Sequence, residues 1–387
     1  MTDAETFNVV FVGGGNVMFG SDEGPWNHSL RFERKLGERL RVVAVIDPNI
    51  ARTSATIQKK LDPSSGVAHA YASTKVYKSF AEFCEQGLEP PRVFVIGSPP
   101  MFRGSTQPGR NIEKEIIEKY HGSKNIAIFV EKPVTTGPQE DIEDAYRVSR
   151  LITESRVLCS VGYMLRYLKA VRFMKEILET NNLHVMNTIA RYACAYQSIA
   201  KLDWWDKSKS AGPIIEQGTH FCDLSRYFGG DVDIPSVRAH TVEWNDTPGR
   251  LSRQTIDESL IPPERRIPRV TSAHWRYKSG AVGSLTHVVA LQGKTYACEF
   301  EIFADGYYLK LVNPYVAPRL YLRTPLEDEE QVFDFADDDP FYTEVDAFID
   351  VVEGKATQDA ISSTYEDGVK TYELTWAIRL ASEESRA

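Results

Sequence analysis

Apolar positions along this chain follow two different grammars. Over the first 160 residues, short unbroken apolar runs alternate with stretches of helical periodicity. Phe7–Val12, Leu40–Ile46, Arg92–Ile96, Asn125–Val130 and Val157–Val161 are strand-length and rich in Val and Ile. Continuous runs of this kind suit strands covered on both faces, as in a parallel sheet. His28–Arg39, Phe80–Glu85, Asn111–Tyr120 and Gln139–Ser155 are the helical candidates between them. Strand and helix in alternation imply right-handed crossovers and a doubly wound parallel sheet.

The second half is strand-dominated. Val185–Ala195, Val237–Val242, Thr271–Tyr277, Ala281–Leu291, Ala297–Phe303 and Tyr308–Val312 predict strands, with Lys278-Ser279-Gly280 and Asp305-Gly306 as hairpin turns. Helices are expected at Ala170–Glu179 and His220–Phe228 on one face of that antiparallel sheet, and Pro340–Val352 and Thr364–Ser382 close the chain. Asn245–Pro268, with four prolines and many charges, reads as a long excursion or flap. The fold class is therefore α/β, with an N-terminal doubly wound sheet followed by an α+β domain on a large, mostly antiparallel open sheet.

At 387 residues the chain exceeds one ordinary core, and the change of grammar puts the domains at 1–160 and 161–387, with the last helices able to pack back on the first. A net charge of −9 lacks the basic footprint of a nucleic-acid partner. The acidic runs Glu327–Glu330 and Asp337–Asp339 read as solvated loop rather than as a metal site. Five scattered cysteines make neither a zinc cluster nor a disulfide framework, so the default is a reducing compartment. The first residues lack a signal-peptide pattern, and no apolar run reaches the 18 or so residues that span a bilayer. A cytoplasmic protein with no metal, membrane or nucleic-acid partner is expected.

The first strand runs into Gly13-Gly14-Gly15-Asn16, where glycines allow a tight turn and let backbone amides approach a pyrophosphate. Gly13 and Gly15 fit the usual spacing, but Met18 stands at the third glycine position, and helical sequence resumes only near His28, after an insertion at Gly20–Asn27. Asp47 ends the second strand, where a carboxylate can accept both ribose hydroxyls of NAD; the other reading is that it caps a turn with Pro48 and Asn49. Arg52 nearby could compensate a 2′-phosphate, so NAD is favoured and NADP stays open. Two further strand ends, at Gly97-Ser98-Pro99-Pro100 and Glu131-Lys132-Pro133, are expected in the same ligand crevice, with plain surface turn chemistry an equal reading for Pro99 and Pro100 alone.

Lys132 is placed to act on a reacting hydroxyl, although most lysines are surface residues. In Gly212–Asp223, a helix from Ile215 would align Glu216, His220 and Asp223 on one stripe, able to bind a polyol or relay a proton. Equally open from spacing is a structural role in which Asp223 pairs with Arg226 and His220 is a satisfied core group. One histidine and two acids make a poor zinc set. Trp204 and Trp205 can stack on a sugar, or serve as core or interface.

The glycine turn, Glu131-Lys132-Pro133, Gly162-Tyr163 with Arg166, the stretch around His220 and Asp223, and Ser362–Gly368 together resemble the glucose-fructose oxidoreductase / inositol dehydrogenase / MocA family over nearly the whole chain. That resemblance implies a Rossmann domain and a domain on a large open sheet, with substrate between sheet and nicotinamide and a dimer through the sheet's outer face. It puts Lys132 on the family's catalytic lysine and His220 on its catalytic histidine, converging on one bound ring. Glu216 stands where many members carry aspartate, and Ala211-Gly212 where they carry Gly-Gly. Glu216, Asp223 and Tyr163 are expected to support; Gly13, Gly15, Asn16, Asp47, Arg52, Ser98, Pro99, Glu131 and Lys132 to hold the cofactor; and Tyr163, Arg166, Trp204, Trp205 and His220 to face a sugar or polyol-like substrate. A hydride transfer to or from NAD(P) follows. The same resemblance includes a silent NAD(P)-binding regulator, a dihydrodiol dehydrogenase and NAD-dependent glycoside-modifying enzymes as alternatives.

Overall fold

The computed structural model describes residues 5–21, 24–120, 122 and 126–386. Met1–Ala4, Asn125, and Asp22 and Glu23 of the insertion therefore lie outside the described residues. The chain forms two compact units, one running to Met164 and including Asp339–Val369, the other made of Leu165–Asp338 and the residues from Lys370 onward.

The first unit is a six-stranded sheet of β1 (Phe7–Val12), β2 (Leu40–Ile46), β3 (Lys75–Tyr77), β4 (Val93–Ile96), β5 (Ala127–Val130) and β6 (Leu158–Val161). Its order is β3-β2-β1-β4-β5-β6 and every pairing is parallel. Every residue of β4 and β5 is buried, as their unbroken apolar sequence requires. β3 and the helix Ile50–Leu61 carry no strong sequence signal. β3 is three residues long and half-exposed. The helix buries only Thr53 and Ile57, and its start is set by Asn49, whose side chain accepts from the Arg52 amide.

The helix Pro340–Val352 is part of this unit. Val345, Phe348 and Ile349 enter the core formed by Phe11, Phe32, Leu36 and Phe129, and Phe348 meets Phe129 edge to face at 5.7 Å. At its rim, Lys35 Nζ bridges Asp346 and Asp350 at 2.5 and 2.6 Å.

The second unit is an eight-stranded sheet of β7 (Val185–Ala195), β8 (Arg238–Val242), β9 (Val270–Arg276), β10 (Val282–Leu291), β11 (Ala297–Ala304), β12 (Tyr307–Val312), β13 (Arg319–Thr324) and β14 (Glu327–Asp334). The order is β14-β13-β12-β11-β7-β10-β9-β8, antiparallel except for β7 with β10. Strict alternation gives it one covered face, with Thr188, Ala190, Tyr192 and Cys194 of β7 beside Leu285, His287 and Val289 of β10. The helix Thr219–Gly229 lies on that face, where Phe228 stacks on Phe300 at 5.7 Å.

Two expectations are corrected here. Glu327–Glu330 is not loop: it begins β14, an edge strand whose exposed charges discourage pairing with another chain. Asn245–Pro268 is not a loose flap either. Ile261 and Ile267 are buried against Trp205, Tyr196 and Val289, and Arg269 ties the segment through Glu258 (2.6 Å) and the Gly249 carbonyl (3.1 Å).

Because Phe348 fills the centre of the first unit's core, Phe348→Ala is expected to destabilise that unit by about 3–5 kcal/mol. A denaturant titration in which the variant unfolds at the wild-type midpoint would contradict this packing role.

Candidate functional site

Just beyond each strand of the first unit, backbone hydrogen bonds level the carboxyl ends. Gly13 N donates to Ile46 O (2.8 Å), Gly97 N to Val12 O (2.8 Å), Glu131 N to Ile96 O (2.9 Å) and Gly162 N to Val130 O (2.8 Å). Gly13–Asn16, Asp47, Ser98–Pro99 and Glu131–Lys132 thus emerge along one edge. In a sheet of this order that edge is the ligand side, with the switch point between β1 and β4.

Gly13 has φ +104°, and a Cβ there would meet Ser98 N at 2.8 Å, so only glycine lets the two turns lie against each other. In front of Gly15 the space is open, with nothing within 4 Å of a Cβ position, which is the clearance a pyrophosphate needs. Ser98 Oγ is buried without a protein partner among the described residues. An open cradle and an unengaged hydroxyl beside it fit a dinucleotide. Asn16 and Pro99 are exposed at the same edge.

The expectation that helix resumes only at His28 is corrected: one helical turn, Asn16–Phe19, follows the glycines directly and stops at Gly20. The insertion therefore follows the first helical turn, leaving the glycine turn intact. Met18 is fully buried and packs over Gly97, its Cε 3.1 Å from where a Cβ would stand. Asp47 caps the turn at Asn49, one of the two roles the sequence left open, and its second oxygen braces the glycine turn. Oδ1 accepts from Asn49 N at 2.7 Å, capping the turn, while Oδ2 accepts from Gly14 N at 2.6 Å and from Arg52 Nη2 at 3.1 Å. The carboxylate thereby fixes the glycine turn, and half-exposed Arg52 is held at the same corner.

Glu131, expected among the cofactor-holding residues, is engaged by partners within the protein. Its buried carboxylate meets His28 Nε2 at 2.5 Å and accepts from the Lys132 amide at 3.0 Å. Burial opposes its charge, but the His28 hydrogen bond and the charges of His28, Lys132 and Arg103 outweigh that and hold it below the usual carboxylate range. Arg103 is fully buried and donates to the carbonyls of Ser98 (2.5 Å), Pro133 (2.8 Å) and Lys132 (3.3 Å). It clamps the β4 and β5 turns together, leaving the half-buried Lys132 side chain on a backbone fixed from both sides. His28 and Arg103 escaped sequence reasoning, since each is a lone polar residue in an undistinguished segment. Tyr163 is fully buried at the β6 end.

In the second unit, Ile214–Gly218 is a π-helix that runs into the helix Thr219–Gly229. The wider winding breaks the spacing from which one stripe was expected, and the two carboxylates are engaged in different places. Glu216 accepts from Trp204 Nε1 at 3.2 Å. Asp223, fully buried, receives Arg166 in a fork, Nε at 2.8 Å and Nη2 at 2.7 Å. Asp223 thus pairs with Arg166, and Arg226 donates to Asp231 at 2.9 Å. Arg166, expected on a substrate wall, is spent on this buried pair. Trp205 is also corrected: it has no exposed surface, and Nε1 donates to the Ile199 carbonyl within the core under the excursion. Trp204, Glu216 and His220 remain partly exposed, and His220 lies 6.0 Å from the Tyr315 ring. Among the described residues, no group of three or more metal-ligating side chains is placed to hold an ion.

Residues 7–163 match the family described as an oxidoreductase family with an NAD-binding Rossmann fold, and residues 166–307 match an oxidoreductase C-terminal domain. The chain is 46% identical to the uncharacterized protein C12C2.04 of Schizosaccharomyces pombe over 95% of both chains. It is 45% identical to another from that yeast, UNK4.17, over 96% of this chain and 90% of that one. Among solved structures it resembles UDP-N-acetylglucosamine 3-dehydrogenase from Acidithiobacillus ferrooxidans (TM-score 0.67, 14% identity, 98% of this chain and 99% of that one). It also resembles the WlbA dehydrogenase from Bordetella pertussis in complex with NADH and UDP-GlcNAcA (TM-score 0.65, 16% identity, 98% of each chain). At these identities the structural likeness is one of fold.

Removing His28 would leave the Glu131 carboxylate buried beside its remaining cations. His28→Ala is expected to lose about 3–5 kcal/mol of stability at neutral pH. In the wild type, the depressed Glu131 value contributes stability above the unfolded carboxylate pKa of about 4.3 and loses it as pH falls through the folded value. In the variant, burial dominates and raises that value, so acidification should narrow the gap between the two proteins. Urea titrations from pH 7 down to 4 that show a constant gap would refute the pairing. Separately, Gly13→Ala should weaken NADH binding by tenfold or more, roughly, because the turn must move off Ser98; unchanged affinity by nicotinamide fluorescence would displace the cradle.

Proposed function

As a member of the glucose-fructose oxidoreductase / inositol dehydrogenase / MocA family, this chain is an NAD-binding oxidoreductase, and we propose that it oxidises or reduces a CH–OH carbon of a sugar or polyol-like substrate. The observation that carries this reading is Lys132 at the levelled strand edge, on a backbone clamped by Arg103, beside a glycine cradle with room for a dinucleotide. A bound nicotinamide dinucleotide would supply or accept the hydride. Lys132 would orient the reacting hydroxyl and stabilise its oxygen as negative charge develops, an effect stronger away from bulk water. His220, partly exposed where the π-helix meets the helix Thr219–Gly229, would take the proton.

NAD is the proposed dinucleotide, because the carboxylate of Asp47 at the β2 end suits two ribose hydroxyls and repels a 2′-phosphate. Trp204, its indole held by Glu216, offers a half-exposed ring for a sugar face. Five free thiols suit a reducing compartment, and the cytoplasm is proposed; no described helix is long and apolar enough to cross a membrane. The open sheet face carries Val282, Asn187, Phe303 and Tyr308 in one row across β10, β7, β11 and β12, which supports a homodimer through that face. Light scattering should then report a dimer that Phe303→Asp dissociates; a wild-type monomer would rule it out.

The central test is a panel of myo-inositol, hexoses, their acids and UDP-N-acetylglucosamine with NAD and NADP, followed by reduced-nicotinamide absorbance. Lys132→Ala should lose at least about a thousandfold in kcat with NADH affinity retained. Full turnover in that variant would end the assignment. Tight NADH binding with no turnover of any member would favour a silent regulator.

A further inference from the structure

Beneath the π-helix, the covered face of the large sheet turns polar. His287 Nε2 on β10 lies 3.0 Å from Gln217 Oε1, and Gln217 Nε2 donates to Cys194 Sγ on β7 at 3.8 Å. Burial keeps His287 neutral, its pKa pushed down to about 3, and because an amide oxygen only accepts, Nε2 carries the proton. Tyr192 stacks on the imidazole at 5.1 Å. These partners lock Gln217, and with it the π-helix that also bears Glu216 and leads to His220.

Tyr315 differs from its neighbours. It stands in the turn between β12 and β13, where Asn313 takes φ +52° and its amide donates to Cys298 O at 2.9 Å. Its ring rests against His220 (6.0 Å), Tyr192 (6.2 Å) and Phe221 (6.4 Å). Its hydroxyl oxygen is buried and hydrogen-bonds to nothing among the described residues. Burial, with the Cys298 thiol and Glu216 nearby, keeps the phenol protonated, so it remains a donor. Phenylalanine would fill the same space without the cost of an unmade hydrogen bond. A protonated donor among aromatic faces, beside the imidazole, matches an uncharged oxygen on a ring that presents C–H groups to those faces.

We propose that Tyr315 is a substrate-binding residue, its hydroxyl donating to a hydroxyl or carbonyl oxygen of the neutral polyhydroxylated ring on which His220 acts. This rests on the reading of His220 given above.

Tyr315→Phe in the full chain tests it with two readouts. Without ligand, the variant should melt at the same temperature as wild type or a few degrees higher, since a buried unpaired hydroxyl is removed. On NADH-saturated enzyme, calorimetry with myo-inositol and with UDP-N-acetylglucosamine should show at least one of them binding wild type, and the variant binding it roughly tenfold or more weakly. NADH affinity should not change. A lower melting temperature would mean the hydroxyl is satisfied inside the protein, and equal affinity, or no binding of either probe to wild type, would likewise overturn the proposal. If Lys132→Ala kept full turnover while Tyr315→Phe still weakened binding, the catalytic reading would fail and this one would stand.

Discussion

The first unit depends on keeping charge buried directly behind the ligand edge. A carboxylate at Glu131 and a guanidinium at Arg103 sit where little water reaches, and each would be costly alone. They are tolerable because His28 answers one and four backbone carbonyls answer the other. The bonds that satisfy these charges run between the β4 turn, the β5 turn and the start of the helix His28–Leu36. Solvating the charges internally and fixing the shape of the edge are therefore one arrangement. Lys132 inherits its backbone position from it.

The same economy recurs in the second unit. Asp223 and Arg166 pair in a fork with almost no exposed surface, and Thr371 Oγ1 adds a third contact at 3.2 Å. Such pairs specify geometry more than they add stability. Here the fork anchors the helix Thr219–Gly229 at its middle, while the π-helix before it swings Glu216, Gln217 and His220 towards different partners. A single wide turn aims side chains that regular winding would stack.

Much of the architecture was legible because it rests on local pattern. Unbroken Val/Ile runs pointed to strands covered on both faces, and alternating runs with Lys278-Ser279-Gly280 and Asp305-Gly306 between them pointed to hairpins. What escaped lacked such a pattern: β3 is too short, the helix Ile50–Leu61 has too few apolar residues, and β13 and β14 carry too many charges. The positions of Gly13, Gly15, Asp47 and Lys132 at the strand ends were visible because glycine spacing and strand ends are properties of adjacent residues. Trp205 and Arg166 were misplaced for the opposite reason, since local sequence cannot tell a side chain on a wall from one in a core.

The sequence by itself determined the order of strands and helices, the glycine turn and the position of Lys132 at a strand end, because these follow from steric and hydrophobic rules acting over a few residues. Only the tertiary structure decided which polar groups satisfy one another: His28 with Glu131 across 103 positions, Arg166 with Asp223 across 57, and Gln217 with His287 across 70. Long-range partners are chosen by the need to satisfy every polar group that folding removes from water, and that need exists only once the chain has closed around them.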